Sequence, residues 1–233
     1  MTPTNGTLFH QSHIPLHVWF KTFQIMSDYN QVMTARKLQR LMHFGSYHTS
    51  CNVLSKIRDV MRRINNSKDY ILDDIVEFIA LPFLYRPLTR SDCPSYGQNT
   101  LLLATEYMKD ANNILHAQLE ENLDQNSIVS FAKLHISPGT RLYTDGWHGY
   151  TLLENKGFKL QNVSTYFTKS IDSTPKLKKH FDSIINMLKG FKRKGIKISY
   201  LRGCIDEYVF RNNIDIHASH RYVELRSEST STV

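Results

Sequence analysis

The chain has 233 residues, 41% of them hydrophobic, which allows one sizeable domain or two small ones and excludes disorder along most of its length. Its formal net charge of +8 suits a polyanionic partner, since each Lys or Arg that neutralises a phosphate releases condensed counterions. Three scattered cysteines, Cys51, Cys93 and Cys204, exclude a disulfide framework, and the absence of a C-x-x-C pair or an H-E-x-x-H spacing predicts no zinc site.

The opening MTPTNGTLFHQ lacks a basic stretch followed by an apolar one, and no apolar run approaches the roughly 20 residues a membrane span needs, so a cytoplasmic protein off the membrane is expected. From His13 to Tyr29, Ile14, Leu16, Trp19, Phe20, Phe23 and Met26 recur at three- and four-residue spacing and predict a packing helix. Between Met33 and Ile64 the pattern is helix-turn-helix. Thr34 caps a helix carrying Ala35, Leu38 and Leu41, Gly45 supplies a left-handed turn, and a second helix follows Tyr47. That helix turns Val53, Leu54, Ile57, Val60 and Met61 inward and leaves His48, Thr49, Asn52, Lys56 and Arg63 for a DNA groove and its phosphates.

Past Asn65–Asp69 the character changes to β, which places a domain boundary between residues 66 and 67. ILDDIVEFIALPFLY is rich in β-branched and aromatic residues, SDCPSYGQN is turn-prone, and NTLLLATEY reads as a second strand. NNILHAQLEENLDQNSIVSFAKLH reads as a strand or helix followed by a helix, and TRLYTD as a short strand ending in a polar loop. Strands interleaved with helices predict an α/β layer fold for residues 67–216. From Pro175 to Asn213 two helices bracket a cationic turn, in which Lys192, Arg193 and Lys194 are candidate phosphate contacts. Residues 217–233 lose apolar content and predict a frayed tail.

Three segments, in order, resemble the ISXO-like insertion-sequence transposases. GTLFHQSHIPLHVWFKTFQIM with TARKLQRLMHFGSYHTSCNVLSKIRDVM is similar to that family's leader and its helix-turn-helix. SPGTRLYTDGWHGYTLLENKGF is similar to the strand and loop that bear its second catalytic aspartate, and YLRGCIDEYVFRNN to its closing helix. The resemblance implies a ribonuclease H-like mixed-sheet core behind the helical region, double-stranded element ends as the partner, a nucleoid-associated location and a possible homodimer. It also implies in-line phosphoryl transfer, in which two Mg²⁺ or Mn²⁺ ions held by acidic side chains clamp the attacking and leaving oxygens. The family's N-terminal zinc ribbon has no counterpart in the five residues ahead of the G-T-x-F start.

Only part of the acidic set follows. Asp145 occupies the second position and is the candidate metal ligand. The family's first aspartate lies in the opening strand, and the ungapped match LDDIVEFIA puts Ile79 there. A slipped register would bring Asp74 or Glu77 to the site; the alternative is that Asp73 and Asp74 form a turn before the strand. For the third position Asp182 and Asn186, four residues apart on one helical face, both stand as candidates. Trp147 and Tyr150 beside Asp145 suggest base stacking or, as the favoured reading, packing of the loop. Three functions are therefore in play: a DNA-binding protein of the transposase type with cleavage as the ancestral activity, an enzyme using shifted acids, and a non-catalytic regulator.

Overall fold

The structure, a computed structural model, describes residues 7–10, 12–29, 31–67, 70–85, 97–107, 114–121, 123–162, 174–189, 197–214 and 218–230. It divides into two units, Met1–Asn65 with Asp206–Val233, and Asn66–Ile205.

In the first unit α1 (Leu16–Asp28) buries Trp19, Phe23 and Met26. Phe9, Trp19, Phe20 and Phe23 meet with ring centroids 5.8 to 6.4 Å apart, within the range where edge-on and tilted pairs add to plain burial. α2 (Ala35–Met42) starts at Thr34, whose hydroxyl accepts the Lys37 N–H at 3.2 Å, as the sequence suggested. Its left-handed end is made by His43 at φ 53°, however, rather than by Gly45. The αL cap falls directly after the last helical residue, so the helix register selects His43 despite its side chain. α3 (Tyr47–Asn65) begins with the Ser46 hydroxyl accepting the His48 N–H at 3.1 Å and buries Val53, Leu54, Ile57, Val60, Met61 and Ile64.

The C-terminal half of α7 (Ile198–Asn213) and α8 (Ala218–Thr230) complete this unit. The expected frayed tail is thus corrected: α8 lies against α1 and α3 and buries Leu225 and Ser229. Sparse apolar content misled the sequence reading, because Arg221 is also buried and reaches the carbonyls of Ser27 and Arg211, both at 3.4 Å.

The second unit is built on β1 (Ile75–Tyr85). β2 (Gly97–Glu106) pairs antiparallel with β1, and β3 (Leu115–Glu120) antiparallel with β2, which resolves the strand-or-helix ambiguity at Leu115. After α4 (Gln125–His135), β4 (Arg141–Thr144) returns parallel to β1. α5 (Thr151–Glu154) then leads to β5 (Lys159–Asn162), parallel to β4 and not singled out in the sequence. The strand order β3-β2-β1-β4-β5, with two antiparallel pairings followed by two parallel ones, is a ribonuclease H-like mixed sheet with flanking helices.

Period-two alternation divides β1 between the two faces. Val76 and Phe78 join Leu102, Ala104, Leu142, Ile128, Phe131, Tyr150 and Leu153 in one core. Glu77 and Ile79 point to the other side, where α6 (Pro175–Lys189) lies against β1 and β2. On α6, Leu177, Ile184 and Leu188 are buried. The basic turn with Lys192, Arg193 and Lys194 and most of SDCPSYGQN, including Cys93, lie outside the described residues.

Candidate functional site

Parallel strands leave their carboxyl ends open, and in α/β sheets that rim is where ligands sit. β4 ends at Thr144, so Asp145 stands on this rim, half-buried, followed by Gly146 at φ 78°. The left-handed glycine turns the chain back over the sheet. Asp145 Oδ1 accepts the Trp147 backbone N–H at 3.4 Å. A short 3₁₀ turn, His148–Tyr150, then drops the Tyr150 ring into the core, its centroid 5.4 Å from that of Phe78.

The Tyr150 hydroxyl ties the rim together. It accepts the Ala80 N–H of β1 at 2.8 Å and is hydrogen-bonded to Asp145. Burial, and then the negative charge of Asp145, push its pKa well above the usual phenol range, so the hydroxyl stays protonated and donates to the carboxylate. Tyr150→Phe is expected to cost about 1–3 kcal/mol, because it strands the part-buried Ala80 N–H as well as releasing Asp145. Urea melts of the two proteins measure the difference.

The β1–β4 register decides what faces Asp145. Its last pair is Glu77↔Tyr143, and continuing by two residues brings Ile79 level with Asp145. Ile79 is fully buried. Asp74 lies at the opposite end: its carbonyl accepts the Arg141 N–H at 3.1 Å, four residues of β4 before Asp145, or roughly 13 Å of strand. It is exposed, at φ 61°, in the turn that precedes β1, so the structure does not bring it to Asp145.

Glu77 is committed elsewhere. Its carboxylate is wholly buried beneath the start of α6 and accepts the Leu177 N–H at 3.0 Å. Burial raises its pKa, against the lowering effect of that bond and of Lys176. Asp182 and Asn186 are both exposed on α6. Among the described residues no three His, Cys, Asp or Glu side chains come together in a metal-binding group. A hard cation such as Mg²⁺ or Mn²⁺ requires several oxygen ligands in near-octahedral array. Asp145 offers one carboxylate, already engaged by Tyr150 and Trp147, opposite an isoleucine, so the described residues do not fit a two-metal centre.

On the first unit, His48 and Asn52 are exposed and linked to each other at 3.2 Å, and Thr49 is half-buried beside them. Lys56 and Arg63, expected to face outward, are half-buried and engaged: the Lys56 ammonium lies 6.0 Å from the centre of the Trp19 ring, and Arg63 pairs with Glu228 at 3.5 Å. The sequence reading missed Arg36 and Arg40. Both are exposed on α2, and Arg36 lies 6.0 Å over the Tyr47 ring; their i, i+4 spacing was the available signal.

No protein-family model matches the chain, and no curated protein matches it. Among solved structures, the chain resembles a simian T-cell lymphotropic virus intasome bound to the PP2A regulatory subunit B56 gamma, at 10% identity and TM-score 0.39, over 75% of this chain and 67% of that one. It resembles a pre-cleavage Mos1 transpososome at 12% identity and TM-score 0.39, over 96% of this chain and 82% of that one. A Mos1 strand transfer complex follows at 11% identity and TM-score 0.30, over 88% and 79%. Among the described residues no helix is long and apolar enough to cross a membrane.

Proposed function

We propose that this chain is a DNA-binding protein of the transposase type, which engages double-stranded element ends through α2 and α3 and does not cut them. The observation that carries the reading is the register of β1 and β4, whose last pair is Glu77↔Tyr143; extended by two residues it puts buried Ile79, not a carboxylate, level with Asp145. Support for DNA as the ligand comes from the net charge of +8 and from the exposed face formed by Arg36, Arg40, His48 and Asn52. In such a pair the second helix enters the major groove while arginines on the first reach phosphates.

Duplex DNA is expected to bind with an affinity that falls steeply with salt and is indifferent to Mg²⁺. Arg36→Ala with Arg40→Ala should reduce the slope of log affinity against log salt by about two, one for each phosphate that is no longer neutralised. Asp145→Asn should leave that affinity unchanged. Fluorescence anisotropy of labelled duplexes, with a supercoiled-plasmid nicking assay in Mg²⁺ and Mn²⁺ alongside, tests both halves. Metal-dependent nicking that disappears in Asp145→Asn would restore the active-enzyme reading.

A further inference from the structure

The segment after Asp145 divides its two aromatic rings between different environments. Tyr150 is 1% exposed, whereas Trp147 is 46% exposed. That exposed indole is nonetheless held in place. It lies so close over the backbone of Gly149 that a Cβ there would collide with Trp147 Cζ3. Its ring meets Tyr150 edge-to-face at 5.4 Å and 86°, and the backbone N–H of the same residue donates to Asp145. Glycine at position 149 is what allows the indole to lie flat against the turn, and Tyr150 fixes the turn to the core.

We propose that Trp147 is a stacking platform for an unpaired base at the end of a DNA molecule. The proposal rests on the DNA-binding reading above and adds the part of the DNA that this rim would take. A large planar ring, immobilised with solvent on one side at the carboxyl edge of a sheet, suits another planar ring. Base stacking on an aromatic side chain tolerates any sequence, because every base has a π-face. Inside a duplex those faces are covered by neighbouring pairs, so the platform favours a frayed, flipped or single-stranded end. A cationic protein surface is the poorer occupant, since this chain itself carries a net charge of +8.

The chain has two tryptophans, and Trp19 is 1% exposed, so iodide-sensitive fluorescence reports Trp147. Blunt duplexes and duplexes with a short single-stranded overhang are titrated against wild type, Trp147→Ala and Gly149→Ala. Overhang DNA is expected to quench the indole, shield it from iodide and bind about tenfold more tightly than blunt DNA. That preference should vanish in Trp147→Ala. It should also vanish in Gly149→Ala, which keeps the indole but forces it off the turn, while circular dichroism stays unchanged. Equal binding of both duplexes with unaltered Trp147 fluorescence overturns the platform and leaves the DNA-binding reading standing. If neither duplex binds, that reading fails, and a free single-stranded oligonucleotide then decides: quenching keeps the platform, and no quenching removes it. Shielding that grows with protein concentration in the absence of DNA would assign the indole to a protein contact and overturn the proposal.

Discussion

Glu207→Ala is expected to unfold the first unit, at a cost of about 3–5 kcal/mol, because it leaves two buried arginines without their counter-ion. Glu207 is fully buried on α7. One oxygen takes Arg58 Nε at 3.1 Å and Nη2 at 3.0 Å; the other takes Arg211 Nη2 at 2.7 Å and the Met33 N–H at 2.9 Å. Arg58 closes the circuit by donating to the Met33 carbonyl at 2.8 Å. Both oxygens are thus supplied with donors, and the carboxylate is the shared hub of a charge-assisted network. Urea unfolding followed by Trp19 fluorescence in a Trp147→Phe background isolates this unit. Asp59→Ala, which removes only the exposed Arg62 partner, should shift stability by less than about 1 kcal/mol. A comparably small loss in Glu207→Ala would mean that the network contributes no more than a surface pair.

Acidification should destabilise the second unit well before its surface carboxylates titrate. His116 of β3 and His135 of α4 are both buried and stacked with ring centroids 4.0 Å apart. Burial lowers the His116 pKa to about 4. Burial, and then the charge of His116, lower that of His135 to about 3. Both folded values lie below the unfolded value of about 6.5, so the unfolded chain binds the extra protons as pH falls. Stability is therefore complete above about pH 6.5 and drains away as pH drops toward 4, at about 1.4 kcal/mol per pH unit for each imidazole in that window. His180, lowered to about 4 mainly by burial, adds in the same direction. Glu77, whose pKa is raised by burial, acts in the opposite sense and gains stability as it protonates.

Unfolding free energies between pH 7 and 4.5 should accordingly fall by several kcal/mol, and His135→Leu should flatten the slope. A wild-type profile flat across that range would sink the assignment.

The parts of this fold that rest on long periodic patterns were legible from the residues. α1, α3 and α6 announce themselves by apolar spacing, and β1 by its run of β-branched and aromatic side chains. Elements stabilised by context were not. β5 is only four residues long and exists because β4 offers it a partner, while α8 depends on a buried arginine that no hydrophobic pattern reveals. At the site, the residues left the register of the opening strand open between Ile79 and a slip to Asp74 or Glu77, and the pairing of β1 with β4 runs as far as Glu77 and Tyr143. What Glu77 does was not readable. Its role as acceptor for α6 depends on a residue 100 positions later in the chain.

The first unit takes Arg58 from one end of the chain and Glu207 from the other. During synthesis the helices carrying Trp19 and Arg58 therefore leave the ribosome with their core unfinished, while Asn66–Ile205 has all of its own residues before α7 is complete. Helices α1 to α3 are made before the second unit yet can finish folding only after it. A message broken between codons 66 and 206 would yield helices α1 to α3 without their buried counter-ion, a product open to proteolysis, so that the exposed α2–α3 face becomes durable only on chains translated through α8.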